Sequence, residues 1–272
     1  MTTQQTASEM TAHVGNIVRS EINKNADHDL EAWIQSCVQL LPGQRVLDVG
    51  CGSGKQVRAF SDLVRSEGSV FGADIFGRLP ELRTAAEANL AGQDNVTLVD
   101  HDASFPFDFA DGSFDLVNSA YSIYYVEDVE QTLNEFRRLT DPGSGRVFIV
   151  GPSWDNSREF YDLHTSITGA QLGEKFVRHL RCMNDVVLPK CYEIFGNVLA
   201  TPFVNRVYFN GSKGASNLKS YYESSMMLAD VTQDPAEVNA YLQQLEDRIL
   251  TRNYAANGYV IYKRAIGVLA YL

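Results

Sequence analysis

The segment VLDVGCGSGKQ (Val46–Gln56) constrains this chain more than any other. It carries a short apolar strand, RVLDV, straight into glycines at 50, 52 and 54. A glycine-rich turn between strand and helix lets backbone approach a ligand closely, with the helix N–H groups at hand. Spacing separates the kinds of loop that do this. A P-loop requires G-x-x-x-x-G-K-[ST], but the residue five before Gly54 is Val49, and Lys55 is followed by Gln56, which has no hydroxyl for magnesium. A dinucleotide fingerprint requires G-x-G-x-x-G, and after Gly50 and Gly52 the third position falls on Lys55. What remains is D-x-G-x-G-x-G, from Asp48 to Gly54.

Short apolar strands alternate with helical patterns around this loop. Strands are predicted at Arg45–Val49, Ser69–Ala73 (closing on Asp74), Asn95–Val99, Ser113–Asn118 and Arg146–Val150. Helices are predicted after Gly54, over Leu79–Leu90 and over Glu127–Leu139, and that alternation predicts a parallel sheet covered on both faces. Upstream, 7–22 and 28–41 read as helices, the second with Leu30, Trp33, Ile34, Cys37 and Leu41 on one face. Past Gly151-Pro152, helical patterns run to about residue 197, then a strand near Phe203–Phe209 and helices over 216–229 and 235–252. The last opens with an N-cap, Asp234, a first-turn proline and the capping-box Glu237, and turns Val238, Tyr241, Leu242, Leu245 and Ile249 to one side. Gly258–Tyr271 closes the chain as a strand. The expected fold is α/β: a Rossmann-like, doubly wound, seven-stranded, mostly parallel sheet with helices on both faces and a helical cap.

Composition excludes some partners. With 34 acidic and 23 basic side chains the formal charge is −11, a poor footprint for gripping phosphate backbones, so nucleic acid is not expected. The four cysteines, 37, 51, 182 and 191, form no C-x-x-C pair and give no zinc site. No stretch approaches a membrane span and the N-terminus lacks an apolar signal region, so a cytoplasmic setting and no membrane partner are expected.

Asp48-x-Gly50-x-Gly52-x-Gly54 resembles motif I of the class I S-adenosylmethionine (SAM)-dependent methyltransferases, in their small-molecule, type 11/25-like branch. Asp74 closes the second strand in VFGADI, where an acid in doubly wound folds bonds ribose hydroxyls. VTLVDHDASFPF sets Asp102-Ala103 at the family position for the adenine amine, and DGSFDLVNSAYSIYYVED resembles the fourth-strand signature. The resemblance covers residues 44–152. It implies cofactor contacts at Asp48, Gly50, Cys51, Gly52, Gly54, Asp74, Ile75, Asp102, Ala103 and Ser119, with Asn118, Ser119 and Ala120 beneath the methionine portion. It also implies SAM as cofactor and S-adenosylhomocysteine as product, with no metal.

A methyl on a sulfonium is already activated, so orientation supplies most of the acceleration, and a base is needed only where the acceptor must lose a proton. The acceptor should enter at the C-terminal edge of the sheet. Tyr121, Tyr124 and Tyr125 follow strand four; Trp154, Asp155, Glu159, Tyr161 and His164 follow strand five. His164 is the expected base, with Tyr121 and Tyr124 as pocket wall or hydroxyl donors. His101 reads as a loop histidine and His179, in RHLR, as part of a solvated face. Asn118 is followed by Ser-Ala-Tyr, not Pro-Pro-Tyr, which favours a small-molecule acceptor on O, N or C over amide or exocyclic-amine nitrogens. The implied reaction is a biosynthetic methyl transfer by in-line displacement. A SAM-binding enzyme of the same fold with another reaction, or a non-catalytic SAM-binding partner, stays open, as does a homodimer. The chain divides into a helical lid segment (1–43), a SAM-binding core (44–152), and a cap with acceptor-pocket insertions and the last strands (153–272).

Overall fold

The computed structural model describes residues 26–210, 213–225, 231–251 and 258–272. The helix expected over 7–22, the end of that over 216–229, and the side chain of Ile249 lie outside the described residues. The elements in chain order are α1 (Leu30–Val38), β1 (Arg45–Val49), α2 (Lys55–Val64), β2 (Ser69–Asp74), α3 (Pro80–Asn89), β3 (Val96–Asp100), β4 (Leu116–Ala120), α4 (Val129–Leu139) and β5 (Arg146–Pro152). They are followed by α5 (Arg158–Thr168), α6 (Glu174–Cys182), a π-turn (Met183–Val187), α7 (Leu188–Ile194), β6 (Asn197–Phe209), α8 (Gly214–Ser224), α9 (Pro235–Thr251) and β7 (Tyr259–Tyr271). None of the described helices is long and apolar enough to cross a membrane.

The seven strands form one sheet in the order β3-β2-β1-β4-β5-β7-β6. β1 to β5 are parallel, and β7 runs antiparallel to β5 from Arg146↔Tyr271 to Pro152↔Ala265. The order reverses direction between β1 and β4, and in open sheets of this kind ligands bind at the C-terminal strand ends beside that switch point. Successive residues of β1 show why Val46 and Leu47 are both apolar. Val46 packs with α1, α2 and α3 through Ile34, Phe60 and Ala86, while Leu47 packs on the opposite face with Leu133 and Phe136 of α4. α4 starts on Asp128, whose side chain accepts the Gln131 N–H at 3.0 Å, and ends with Arg137 and Arg138 at its negative pole.

The chain forms two compact units. The larger holds residues 30–154, 179–203 and 265–272, and contains both cores just described. The smaller holds, among described residues, 26–29, 155–178 and 204–264, around a core of Phe160, Leu163, Phe209, Tyr221, Tyr222 and Leu245. α1 therefore belongs to the sheet unit, where Trp33 lies against Phe203 and Phe148.

Several boundaries differ from expectation, β6 for one beginning at Asn197 and not near Phe203. The first helix stops at Val38, Gln39 takes φ 48°, and Leu41, expected on the apolar face, is exposed. Arg146 sets this end: its buried guanidinium donates from Nε to Val38 O (2.8 Å) and from Nη2 to Gln39 O and Gln44 Oε1 (3.2 Å each). β4 begins at Leu116; just before it the Asp115 side chain accepts the Arg45 N–H (2.7 Å) and Phe114 bridges to Thr140.

Arg146→Met keeps the aliphatic stem but removes all three bonds and leaves the buried Val38 carbonyl without its guanidinium donor. The expected cost is about 3 kcal/mol in urea unfolding at unchanged m-value. A loss within the error of the extrapolation would show that the guanidinium does not hold this corner.

Candidate active site

The glycine loop is built against the end of β2. The Gly50 and Cys51 N–H groups both donate to Ala73 O, at 2.8 and 3.1 Å. The Gly52 N–H donates to Asp74 Oδ2 at 2.8 Å, and the other oxygen, Oδ1, accepts the Ile75 N–H at 2.8 Å. Asp74 thereby joins the loop after β1 to the loop after β2. Gly54 stands immediately before α2, its N–H on Cys51 O at 3.0 Å.

Two glycines differ in what they make room for. At Gly50, φ 74°, a Cβ would overlap the Ser122 side chain. That side chain donates to Val49 O and lies 2.7 Å from Ser119 Oγ, which ties the end of β4 to the glycine turn. At Gly52, φ 56°, a Cβ would meet nothing within 4 Å, so the loop borders open space there.

Beneath the loop, Asp48 is 1% exposed. Its Oδ1 accepts Asn118 Nδ2 at 2.6 Å, whereas Asp48 Oδ2 and Asn118 Oδ1 are buried without a hydrogen-bond partner. Burial pushes the Asp48 carboxyl up to about 7 against the pull of the Asn118 amide, and the nearby Asp74 charge adds to the rise. Two unpartnered acceptor oxygens below an acid-lined loop suit a cationic, amine-bearing ligand. Cys51 is buried and its thiol is held well above the usual range, first by burial and then by Asp48 and Asp74, so it lines the loop without being a nucleophile.

At the end of β3, Asp102 Oδ1 accepts the Ser104 N–H (3.0 Å), and Oδ2 pairs with Arg78 Nη1 (2.9 Å). Burial pushes the Asp102 carboxyl up, but Ser104 and Arg78 outweigh it and hold the group below the usual carboxylate range. Asp48, Gly50, Cys51, Gly52, Gly54, Asp74, Ile75, Asp102, Ala103 and Ser119 all stand at or just past the same strand ends, β1 to β4.

Residues 47–149 match the family model for a methyltransferase domain. The chain carries a class I SAM-dependent methyltransferase domain. It is 38% identical over 111 residues to aklanonic acid methyltransferase of Streptomyces sp. (strain C5), an alignment spanning 40% of this chain and 49% of that one. The chain thus spans about half the length of that relative. It is 28% identical over 180 residues to demethylmenaquinone methyltransferase of Staphylococcus epidermidis, covering 64% of this chain and 70% of the relative. In fold it resembles a candidate methyltransferase from an antibiotic biosynthesis pathway of Anabaena variabilis, with TM-score 0.63 and 16% identity over 89% of this chain and 96% of that one. The domain's cofactor is SAM, and the residues present fit it: open space at Gly52, orphaned acceptors at Asp48 and Asn118, and acids at 74 and 102.

The methyltransferase domain continues past β4 into aromatic side chains. Tyr121 follows the strand with φ 56°, its N–H on Val150 O at 2.7 Å, a left-handed backbone that costs a non-glycine residue about 1–2 kcal/mol. Tyr124 and Tyr125 form a 3₁₀ turn whose rings lie 5.6 and 5.4 Å from the half-buried ring of His179. The solvated face expected at His179 is therefore corrected: α6 turns this residue toward two tyrosines of the sheet unit. RHLR alone hides this, because only the fold brings α6 to the turn after β4.

His164 lies in the smaller unit at 1% exposure, with Nδ1 2.6 Å from the Tyr222 hydroxyl. Phe160 shares its face, as the i, i+4 spacing predicts. Glu159 and Asp155 are paired with Arg264 at 2.8 and 3.5 Å, and Tyr161 lies edge-on to Phe176. Those candidates after β5 are thus built into their own unit. Trp154, in the sheet unit, is 54% exposed. Sequence reasoning also missed Ser122 and Arg78, whose signals are only a small residue after a strand and a basic residue in a loop.

The Asp48 geometry has a pH signature. Between about 4 and 7 folded Asp48 keeps a proton that the unfolded chain has released, so the ligand-free protein loses stability as pH rises through that window, by up to about 4 kcal/mol. Asp48→Asn should flatten this slope in thermal melts and, at pH 8, weaken SAM binding about tenfold or more by removing the charge. A retained slope with unchanged affinity would contradict the assignment.

Proposed function

We propose that this protein transfers the methyl group of SAM to a small, ring-bearing metabolite. The observation that carries this reading is the Gly52–Asp74 bond standing above the unpartnered Asp48 oxygen. When bound, SAM supplies an activated methyl on a sulfonium that leaves as a neutral thioether. Asp48, Asn118 and Ser119 hold the methionine end, because their acceptors suit its ammonium group. Asp74 orients the ribose through a carboxylate that its bonds to the Gly52 and Ile75 N–H groups hold at the strand ends. Asp102 takes the adenine amine.

The acceptor side of the reading rests on Tyr124, Tyr125 and His179. Their rings offer faces for stacking, and an imidazole among them is a suitable group to receive a hydroxyl proton as the methyl is transferred. Tyr121, fixed by its strained backbone, belongs to the same wall. His164 is assigned to hold the smaller unit's core through Tyr222, because its ring is enclosed there. The named acceptors of the relatives, an acid in one and a demethylated menaquinone in the other, support a metabolite of this kind. Acceptor specificity is assigned to this wall: Tyr121, Tyr124 and Tyr125 just past β4, and His179 from beyond residue 152.

The test is incubation with methyl-labelled SAM and a panel of hydroxylated aromatic acids and hydroquinones. Acceptor-dependent S-adenosylhomocysteine and a labelled product are expected. His179→Ala and Tyr125→Ala should each lower turnover about tenfold or more, with SAM affinity changed less than about twofold. SAM binding without turnover across the panel would count against transfer to this class, and variants with full activity would count against this wall.

A further inference from the structure

The loop between β2 and α3 carries a basic side chain that the family assignment does not use. Residues 75–79 are held tightly: Phe76 N–H donates to Asp74 O at 2.8 Å, and Arg78 and Leu79 N–H donate to Ile75 O at 2.9 and 3.1 Å. Gly77 N–H donates to Asp100 Oδ1 at 2.8 Å, and a Cβ on Gly77 would come within 2.6 Å of the other Asp100 oxygen. Phe76 is buried in the core beneath. A loop fixed at so many points delivers Arg78 to one place. Its Nη1 lies 2.9 Å from Asp102 Oδ2, with both side chains partly exposed at 39% and 26%.

An acceptor and a cationic donor thus stand side by side where the base of the cofactor is read. A guanidinium carries five N–H donors in a rigid fork, so one arm on Asp102 leaves the fork aimed along the same edge. Adenine presents a matching pair on one edge: the N6 amine donates and the adjacent N7 accepts. A 6-oxopurine has acceptors at both positions and would set its carbonyl against the Asp102 carboxylate. We propose that Arg78 is a specificity-determining residue of the cofactor site, donating to adenine N7 while Asp102 accepts from the N6 amine. The assignment rests on the SAM reading above and adds to it a second reader of the base, supplied by the loop after β2.

The test is calorimetric binding of three ligands to the full chain: S-adenosylhomocysteine, its 7-deaza analogue, which lacks N7, and its 6-oxo analogue. Wild-type protein is expected to bind S-adenosylhomocysteine about ten- to a hundredfold more tightly than either analogue, the range for a charge-assisted hydrogen bond. Arg78→Ala should lose about that factor for S-adenosylhomocysteine and little for the 7-deaza analogue, so that the two converge, with the melting temperature of the ligand-free protein nearly unchanged. Arg78→Lys, with one point donor in place of the fork, should fall between. Tighter binding or unchanged affinity in Arg78→Ala overturns the proposal, the first by making Arg78 a competitor for Asp102. An equal loss for both ligands also overturns it, since Arg78 would then act only through Asp102. Asp74→Ala separates the two layers of the argument: it should weaken all three ligands alike. Wild-type protein that binds none of them would refute the cofactor reading together with this one.

Discussion

The hydrogen bond from the Gly52 N–H to the Asp74 carboxylate is the point on which the site depends. It closes the turn after β1 onto the end of β2, and the same carboxylate starts the next loop through the Ile75 N–H. Everything that follows along the strand ends is placed relative to this junction. Gly50 sits against Ser122, Ser122 ties back to Val49 O, and the loop after β2 reaches across to Asp100 and Asp102. The bond forms only because the parallel register sets Val49 beside Ala73 and so brings the turn level with Asp74. Sheet pairing, supported by a core on each face, therefore fixes the glycine loop to within hydrogen-bond tolerance.

The cost of this arrangement is concentrated at Asp48. An acid buried between strands, with one oxygen unpartnered, is unfavourable in a ligand-free protein and is retained where a cation offsets it. The strained Tyr121 is a second local cost at the neighbouring strand end. Two such features within one sheet edge, against cores that are otherwise apolar and well packed, mark that edge as the working part of the molecule. The −11 charge fits the same account, in which acids at 48, 74 and 102 are proposed to meet a positively charged cofactor.

Most of the sheet was legible in the sequence, because strands buried on both faces read as short, mainly apolar runs, VFIV (147–150) unbroken and VLDV (46–49) interrupted only by Asp48. The glycine turn and its two acids were legible for a different reason: each occupies a fixed offset from a strand end, and offsets survive in one dimension. Leu41 was misread because helical periodicity continues past Val38, while the arginine that ends the helix comes 108 residues later. His179 was misread for the same reason, since its tyrosine neighbours lie in a turn far away in sequence. His164 was read as the expected base; its partner Tyr222, 58 residues away, left no sign in the sequence. Side-chain environments that depend on long-range contacts leave no local pattern to find.

The central claim is that the loop from Asp48 to Gly54 is a SAM site and neither a dinucleotide nor a nucleoside-triphosphate site. Equilibrium dialysis with labelled SAM tests it most directly, with unlabelled NAD⁺ and ATP as competitors at millimolar concentration. Saturable, stoichiometric SAM binding is expected, displaced by S-adenosylhomocysteine and reduced by neither NAD⁺ nor ATP. Displacement of SAM by either nucleotide, or no saturable SAM binding at all, would contradict it.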